Sequence, residues 1–389
     1  MRAPPPSGFA LFSCVDLFCG CGGNSWGMLR KNGSRPLLPL LAVDIDPVAL
    51  WTYHWNMPKV KALQADIQTI APLDILNRVG LKQGELGCLI ASPPCQTYSR
   101  NNRSPKEKTD HRNTLYAHVL KMIAGIQPWI VFMENVPEME TCFGGEFHQD
   151  FLNRLRNLGY SPSYWTVNTA SYGVPQHRQR LIYLAYRTDM GKTPRCPPKT
   201  HGEEPELLPW VTVEQAIQDL PPRQAGELRN AVEFSERERV NRSPYALSLW
   251  PRRSLVTLNH FARSLNSTQL RRLRALGEGG DYDSLPADLR PAQGYKASYG
   301  RLWRGKPAPT LTAYLSYPGC GRFSHYEQDR VITIREALRL QSFDDDFWVF
   351  GPLMSQSNQV GNAVPPLLAT AFRDVIVADL RSLDRQSPQ

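Results

Sequence analysis

The chain has 389 residues, 41% of them hydrophobic and 21% charged, enough apolar material for a large core and two lobes, which excludes a disordered chain or a small disulfide-stapled scaffold. Eight cysteines at irregular spacing make no disulfide framework, and no charged start with a long apolar run marks a secretory signal, so a reducing cytoplasm is expected. A formal charge of +9 and a pI of about 9.2 suit a polyanionic partner, although a basic surface also serves solubility alone.

The first half alternates short apolar runs with helix-like segments, the rhythm of a parallel α/β sheet. "CVDLFC" reads as the first strand, "GCGGNSWGMLRKNG" as a glycine turn opening a helix, "LLAVDIDP" as the second strand and "VALWTYHWN" as its helix. The most apolar early stretch, "RPLLPLLAVDIDPVALW", is cut by Asp44 and Asp46 well short of the roughly 20 residues a membrane span needs. "GCLIAS" and "WIVFMENV" are further strands, "TLYAHVLKMIAGI" between them has helical spacing, and "SPSYWTVNTASYGVPQHRQRLIYLAYR" holds two more strands. From about residue 187 the texture turns to Pro, Arg and Glu clusters, with "PRCPPKTHGEEPELLPW" as linker. Order returns with "TIREALRLQSFDDDF" and with "QVGNAVPPLLATAFRDVIVADLRSL", read as a final amphipathic helix with Pro365 and Pro366 in its first turn.

Gly20, Gly22 and Gly23 let the backbone approach a ligand closely after a strand, and the next helix offers its N-terminus to a negative or polar group. Ser25 stands where the dinucleotide fingerprint would have a third glycine, and a tight turn with no ligand would read the same. About 20 residues later Asp44 ends the second strand, where a carboxylate binds two ribose hydroxyls. Asp66, in "QADI", ends a third strand and suits an adenine amino group. Together these strand ends favour a nucleoside cofactor, and without a phosphate-binding lysine they favour adenosine lacking a phosphate chain.

In "SPPCQTYS" Cys95 emerges behind Pro93 and Pro94 at the carboxyl edge of a strand, the edge where α/β sheets hold their sites. A cysteine there is often inert, because reactivity needs a stabilised thiolate. "MENVP" brings Glu134 and Asn135 to the next strand end, either as a solvated cap or, with Cys95, as nucleophile and acid on neighbouring strands. "QHRQR" alternates Arg178 and Arg180, which on a strand share one face and suit a carbonyl oxygen and a carboxylate, or plain solvent.

These segments resemble the motifs of the DNA cytosine-C5 methyltransferases, of bacterial or phage restriction-modification type. "DLFCGCGGNSWGM", "VDIDPVALWTYHWN", "ADI", "SPPCQTYS", "FMENVP", "PQHRQR", "REALRLQSFDDDF" and "QVGNAVPP" follow the family's order, over nearly the whole chain outside the central region. The resemblance implies a Rossmann-like, S-adenosylmethionine-dependent methyltransferase sheet with a smaller, irregular target-recognition domain. Residues 1–186 would form the catalytic and cofactor-binding domain, 187–334 the target-recognition domain, and 335–389 a hinge and return.

It also implies roles. The Cys95 thiolate would add to cytosine C6 and make C5 enamine-like, while Glu134 would meet N3 and the exocyclic amino group with help from Asn135. Arg180 would bind the cytosine O2, and Arg178 would support that site. S-adenosyl-L-methionine would supply the methyl group and leave as S-adenosyl-L-homocysteine. Phe18, Gly20 and Gly22 would line the cofactor, Asp44 would bind its ribose, and Asp66 and Pro94 would flank the adenine. Ile45 stands where family members often carry an aromatic ring, so stacking there would be weaker. Asn362 and Ala363 would fold back beside the first motif.

Cytosine C6 is hidden in a duplex, so this chemistry needs a flipped base. The run "TYSRNNRSPKEKTDHRN", with Arg100 and Arg103, reads as a basic loop suited to phosphates, and Arg252, Arg253, Arg271 and Arg272 as contacts to phosphates or guanine edges. No histidine and cysteine cluster has zinc-ligand spacing, so no metal is expected. The expected protein is a monomer acting on duplex DNA in the cytoplasm, at the nucleoid, alone or beside a cognate restriction endonuclease, with no membrane contact. A transfer-RNA cytosine methyltransferase is the first alternative, disfavoured by the missing Cys-Phe-Thr signature and the large central region. A non-catalytic DNA-binding relative is the second, disfavoured because Cys95, Glu134 and both arginines are present.

Overall fold

In the computed structural model, which describes Gly8 and residues 10–94, 115–235, 242–250 and 255–384, the apolar runs of the first half join in one sheet. Its strands are β1 (Ser13–Leu17), β2 (Leu38–Asp44), β3 (Lys61–Gln64), β4 (Cys88–Ala91), β5 (Ile130–Asn135), β6 (Tyr160–Asn168) and β7 (Gln179–Arg187). The order is β3-β2-β1-β4-β5-β7-β6, with β7 antiparallel to both its neighbours and the other pairs parallel. The central β1, β4 and β5 are buried at every residue, as expected of strands covered on both faces. At one edge β3 exposes Lys61 and Gln64, polar residues that discourage further strand pairing.

The helices of the first half are α1 (Gly23–Leu29), α2 (Pro47–Asn56), α3 (Pro72–Val79), α4 (Leu115–Ile126), α5 (Glu138–Thr141) and α6 (Glu146–Asn157). Asp46 caps α2 by accepting from Val48 N and Ala49 N, with Pro47 preset for the first turn. Buried Ile, Leu and Val from β1, β2, β4, α3 and α4 form the main core together with Phe151 and Tyr183.

The second half carries α7 (Val213–Ile217), α8 (Pro244–Ser248), α9 (Ser267–Arg274), α10 (Ile334–Leu340), α11 (Leu353–Asn362) and α12 (Pro366–Asp384), with a short pair of strands, β8 (Val232–Glu233) and β9 (Val256–Thr257). The chain divides into two units: Met1–Asn168, Gln179–Pro198 and Leu368–Gln389 in the first, Thr169–Arg178 and Lys199–Leu367 in the second. This differs from boundaries at 187 and 335, and buried polar bonds give the reason. Arg330 and Glu336 meet through two 2.7 Å bonds, and Arg339 and Asp345 through two at 2.9 Å, which ties α10 into the second unit. Burial alone would raise the Glu336 carboxyl, but Arg330 reverses this and holds it well below the usual carboxylate range. Gln176 likewise accepts from Leu311 N at 2.9 Å and donates to Gln341 Oε1 at 3.1 Å, which draws Thr169–Arg178 into the second unit.

The last helix, α12, returns to the first unit. Its Phe372 packs on Phe132 of β5 with ring centroids 5.5 Å apart. Arg373 lies fully buried and donates to Gly27 O at 3.3 Å, Met28 O at 3.4 Å and Asn32 Oδ1 at 2.6 Å, with a further bond to Arg30 O. It thereby satisfies carbonyls that the end of α1 leaves open. No described helix is long and apolar enough to cross a membrane.

Candidate active site

The glycine turn begins where β1 ends. Phe18 and Gly20 adopt positive φ of 57° and 52°, and Gly22, the residue before α1, reaches 101°. A Cβ on Gly22 would stand 2.4 Å from Met57 Cε and 2.7 Å from Tyr53 Cδ2, so both its conformation and its neighbours require glycine. Asp44, at the end of β2, fastens the turn: its carboxylate accepts from Gly20 N at 2.8 Å and from Asp46 N at 2.9 Å. Burial raises the Asp44 carboxyl despite backbone bonds from Asp46, Gly20 and Ile45, and lone-pair capacity is left for a ligand. Ile45 follows with 64% of its surface exposed, an uncovered apolar face beside that carboxylate.

Asp66 stands two residues beyond β3 rather than ending it, because the ladder with β2 stops at Gln64. Its carboxylate accepts from Gln68 N at 3.0 Å and Gln68 Nε2 at 3.3 Å.

Two polar residues under the turn, Asp16 and Asn24, escaped the sequence reading, and Ser25 was read only as replacing a glycine. Asp16, inside β1, is fully buried; Ser25 Oγ donates to its Oδ2 at 2.6 Å, and its Oδ1 has no partner. Burial, opposed by the Ser25 bond and aided by Asp44, pushes the Asp16 carboxyl up to about 7. Asn24 is buried too, with Nδ2 donating to Ser92 Oγ at 3.0 Å and Oδ1 unpartnered. Their signal was present in the sequence: a carboxylate inside the apolar run "CVDLF", and two polar residues where α1 turns towards the sheet.

On the other side of the edge, β5 and β7 bring Glu134 and Arg180 together. In their antiparallel register Glu134 faces Ile182, so Arg180, two residues along β7, lies diagonally on the same sheet face. Arg180 Nε approaches Glu134 Oε1 to 2.7 Å, with both side chains about nine-tenths buried. Asn135 reaches across to β4, donating from Nδ2 to Pro93 O at 3.3 Å, while its Oδ1 accepts from Val136 N at 2.9 Å. Beyond β4, Pro93 is buried and Pro94 exposed.

Arg178 departs from the sequence reading: it precedes β7 rather than sharing a strand face with Arg180. Within the second unit its buried guanidinium donates to Leu311 O at 2.9 Å, Gly361 O at 2.8 Å and Ala363 O at 3.3 Å. It therefore braces the backbone around Asn362, the last residue of α11, and Ala363 that follows. Gly361 itself permits close passage of the chain, since a Cβ there would meet Thr312 C and O at 2.4 Å.

Cys95, Arg100, Arg103, Arg252 and Arg253 lie outside the described residues. Of the arginines expected at DNA, Arg271 is exposed with Asp288 3.9 Å away. Arg272 is already engaged within the second unit, donating to Leu289 O at 2.7 Å and to Tyr299 Oη at 2.9 Å.

A mostly parallel seven-stranded sheet with an antiparallel β7, a glycine turn after β1 and an acidic residue at the end of β2 defines the class of S-adenosylmethionine-dependent methyltransferases. Residues 12–378 match the model of the C-5 cytosine-specific DNA methylases, and the chain belongs to that family, whose activity is that of a DNA (cytosine-5-)-methyltransferase. It is similar to Type II methyltransferase M1.HphI of Haemophilus parahaemolyticus, 32% identical over 93% of this chain and 86% of that protein. Type II methylase M.HgiDII of Herpetosiphon aurantiacus is 29% identical over 95% of this chain and 96% of its own. The fold resembles that of a protein described as a prophage-encoded DNA modification methyltransferase of E. coli, with a TM-score of 0.75, 23% identity and coverage of 95% and 99%. It also resembles DNMT2 of Spodoptera frugiperda, with a TM-score of 0.58, 16% identity and coverage of 94% and 99%.

Family and fold imply S-adenosylmethionine as the methyl donor. The turn fits it: buried acceptors on Asp16 and Asn24 lack donors, Asp44 has capacity for ribose hydroxyls, and nothing lies within 4 Å of a Cβ built on Gly20.

Proposed function

We propose that this chain methylates C5 of a flipped-out cytosine within a specific duplex DNA sequence, through a covalent bond between Cys95 and C6. The observation that carries this reading is the Glu134–Arg180 pair, held on one sheet face while Asn135 of the same strand grips Pro93, two residues before Cys95. A carboxylate and a guanidinium side by side match the amidine edge and the O2 of cytosine, with Glu134 at N3 and the exocyclic amino group and Arg180 at O2. Addition of the Cys95 thiolate to C6 moves the C5–C6 electron pair towards C5. S-adenosylmethionine supplies the methyl group that C5 takes up. Loss of the C5 proton and elimination of the thiolate then restore the aromatic ring and free Cys95.

Phe18, Gly20 and Gly22 would line the cofactor, Asp44 its ribose, and Asp66, Pro94 and Ile45 its adenine. Arg178 acts on the backbone around Asn362, through the carbonyls of Gly361 and Ala363. Arg100, Arg103, Arg252, Arg253 and Arg271 would contact DNA. The protein would work as a cytoplasmic monomer at the nucleoid, beside a restriction endonuclease for the same site. The kinship with Type II methyltransferases supports this setting.

Duplex DNA carrying 5-fluorocytosine at the target should form a covalent adduct that Cys95→Ser abolishes. Bisulfite sequencing of DNA from expressing cells would supply the target sequence. Labelled transfer RNA with unlabelled DNA would assign the chemistry to RNA instead, and no adduct at any site would leave a binding protein.

A further inference from the structure

Asn24 is the second residue of α1, yet its amide is buried and crosses to β4's end, donating to Ser92 Oγ at 3.0 Å. Ser92 follows β4 and stands three residues before Cys95; its backbone N–H is held by Leu17 O at 3.2 Å, directly before the glycine turn. The other atom of the Asn24 amide, Oδ1, is buried and meets no donor, as is Oδ1 of Asp16. Ser25 lies between the two in both senses, next to Asn24 in sequence and bonded to Asp16. The Asn24 amide oxygen and, once ionised, the Asp16 carboxylate oxygen accept without donating and match an ammonium group; a carboxylate or phosphate would be repelled.

We propose that Asn24 is a positioning residue that couples the cofactor to the nucleophile's approach. Its Oδ1 accepts from the ammonium at the amino-acid end of S-adenosylmethionine, beside Asp16, and its Nδ2 holds Ser92 and so the Pro93–Pro94 step. With Asn135 bonded to Pro93 O at 3.3 Å, that step is gripped from the cofactor side and the target side at once. An apolar residue at position 24 would fill the space without linking the two. This inference rests on the proposed cytosine chemistry.

The test separates binding from thiol addition. Without cofactor, addition of the Cys95 thiolate to C6, protonation of C5 by water, loss of the original C5 hydrogen and elimination of the thiolate release tritium from [5-3H]cytosine in target duplex DNA. Ser92→Ala, which removes only the partner of Asn24 Nδ2, should bind S-adenosylhomocysteine like the unaltered protein but release tritium about fivefold to tenfold more slowly. Asn24→Leu should show the same slowing and, in addition, weaken S-adenosylhomocysteine about tenfold. The double variant should be no slower than Asn24→Leu alone, since both changes break one bond. Ser92→Thr, which keeps the hydroxyl, should restore the rate.

Undiminished tritium release in Ser92→Ala and Asn24→Leu, with normal release by the unaltered protein, would overturn the coupling while leaving the cytosine chemistry standing. Multiplied effects in the double variant would overturn it too. If the unaltered protein released no tritium and methylated no DNA, the functional reading itself would fall and this inference with it.

Discussion

The two sides of the sheet's active edge are prepared in opposite ways. Around β1 and β2, acceptors stand buried without donors and burial raises the carboxyls of Asp16 and Asp44. Around β5 and β7, Glu134 and Arg180 stand as an ion pair at 2.7 Å, although Arg180 Nε is left without a hydrogen-bond partner. The first region is incomplete by a cation and hydroxyl donors, so a ligand supplies what the fold lacks. The second already holds opposite charges together, so on the proposed function an incoming base would share that pair. On the proposed function, binding energy would be concentrated on one side and geometric selection on the other.

The sharpest way to break this contrast is Glu134→Gln. It should reduce methyl transfer by about 10²–10⁴-fold, as loss of a positioned acid or base does, while S-adenosylhomocysteine binding stays unchanged. Equal losses in both, measured by single-turnover kinetics and calorimetry, would mean the two sides are not separable.

Asp16 gives the next largest effect, and its sign can be worked out. The folded carboxyl titrates near 7 against a reference value of 3.8, so its contribution to the ligand-free fold is fully present below about pH 4 and lost as pH rises towards 7. Asp16→Asn removes this dependence and should stabilise the ligand-free protein at pH 8 by on the order of 2 kcal/mol in denaturant titration. The same change should weaken S-adenosylhomocysteine about tenfold or more. In the unaltered protein affinity should climb from pH 5 to 7 and then level, because the cation needs the ionised form. A flat profile would show that Asp16 does not face the ligand.

The smallest effect expected is at Ile45. On the proposed function its exposed side chain would offer the adenine an apolar face without a π-system. Ile45→Phe should tighten cofactor binding about threefold, consistent with about 0.5–1.5 kcal/mol for an added aromatic contact. Methyl transfer at saturating cofactor should not change.

Much of this was legible in the residues. The strand runs, the glycine turn, Asp44, Glu134 and Arg180 announce themselves through apolar periodicity and through polar groups at strand ends. What was hidden depends on contacts distant in sequence. Arg178 and Arg180 are two residues apart, yet one bonds carbonyls of Leu311, Gly361 and Ala363 while the other bonds Glu134. Alternation along a strand predicts a shared face only where both residues are on the strand, and β7 begins between them. Asp16 and Asn24 were overlooked because a polar residue in an apolar run reads as noise until its burial is known. The limits of the second unit differ from boundaries at 187 and 335 in part because α10 carries Arg335, Glu336 and Arg339 inside, where charge would suggest a surface.

The return of α12 bears on how the protein is made. The backing of α1, through Arg373 and its carbonyl partners, comes from a helix that leaves the ribosome after the entire second unit. A growing chain can pair β1 to β7 early, but the carbonyls at the end of α1 stay open until translation has passed residue 373. Competence to bind the methyl donor would thus arrive late in synthesis, so a prematurely terminated chain would hold the chemistry's residues without the support that makes them usable.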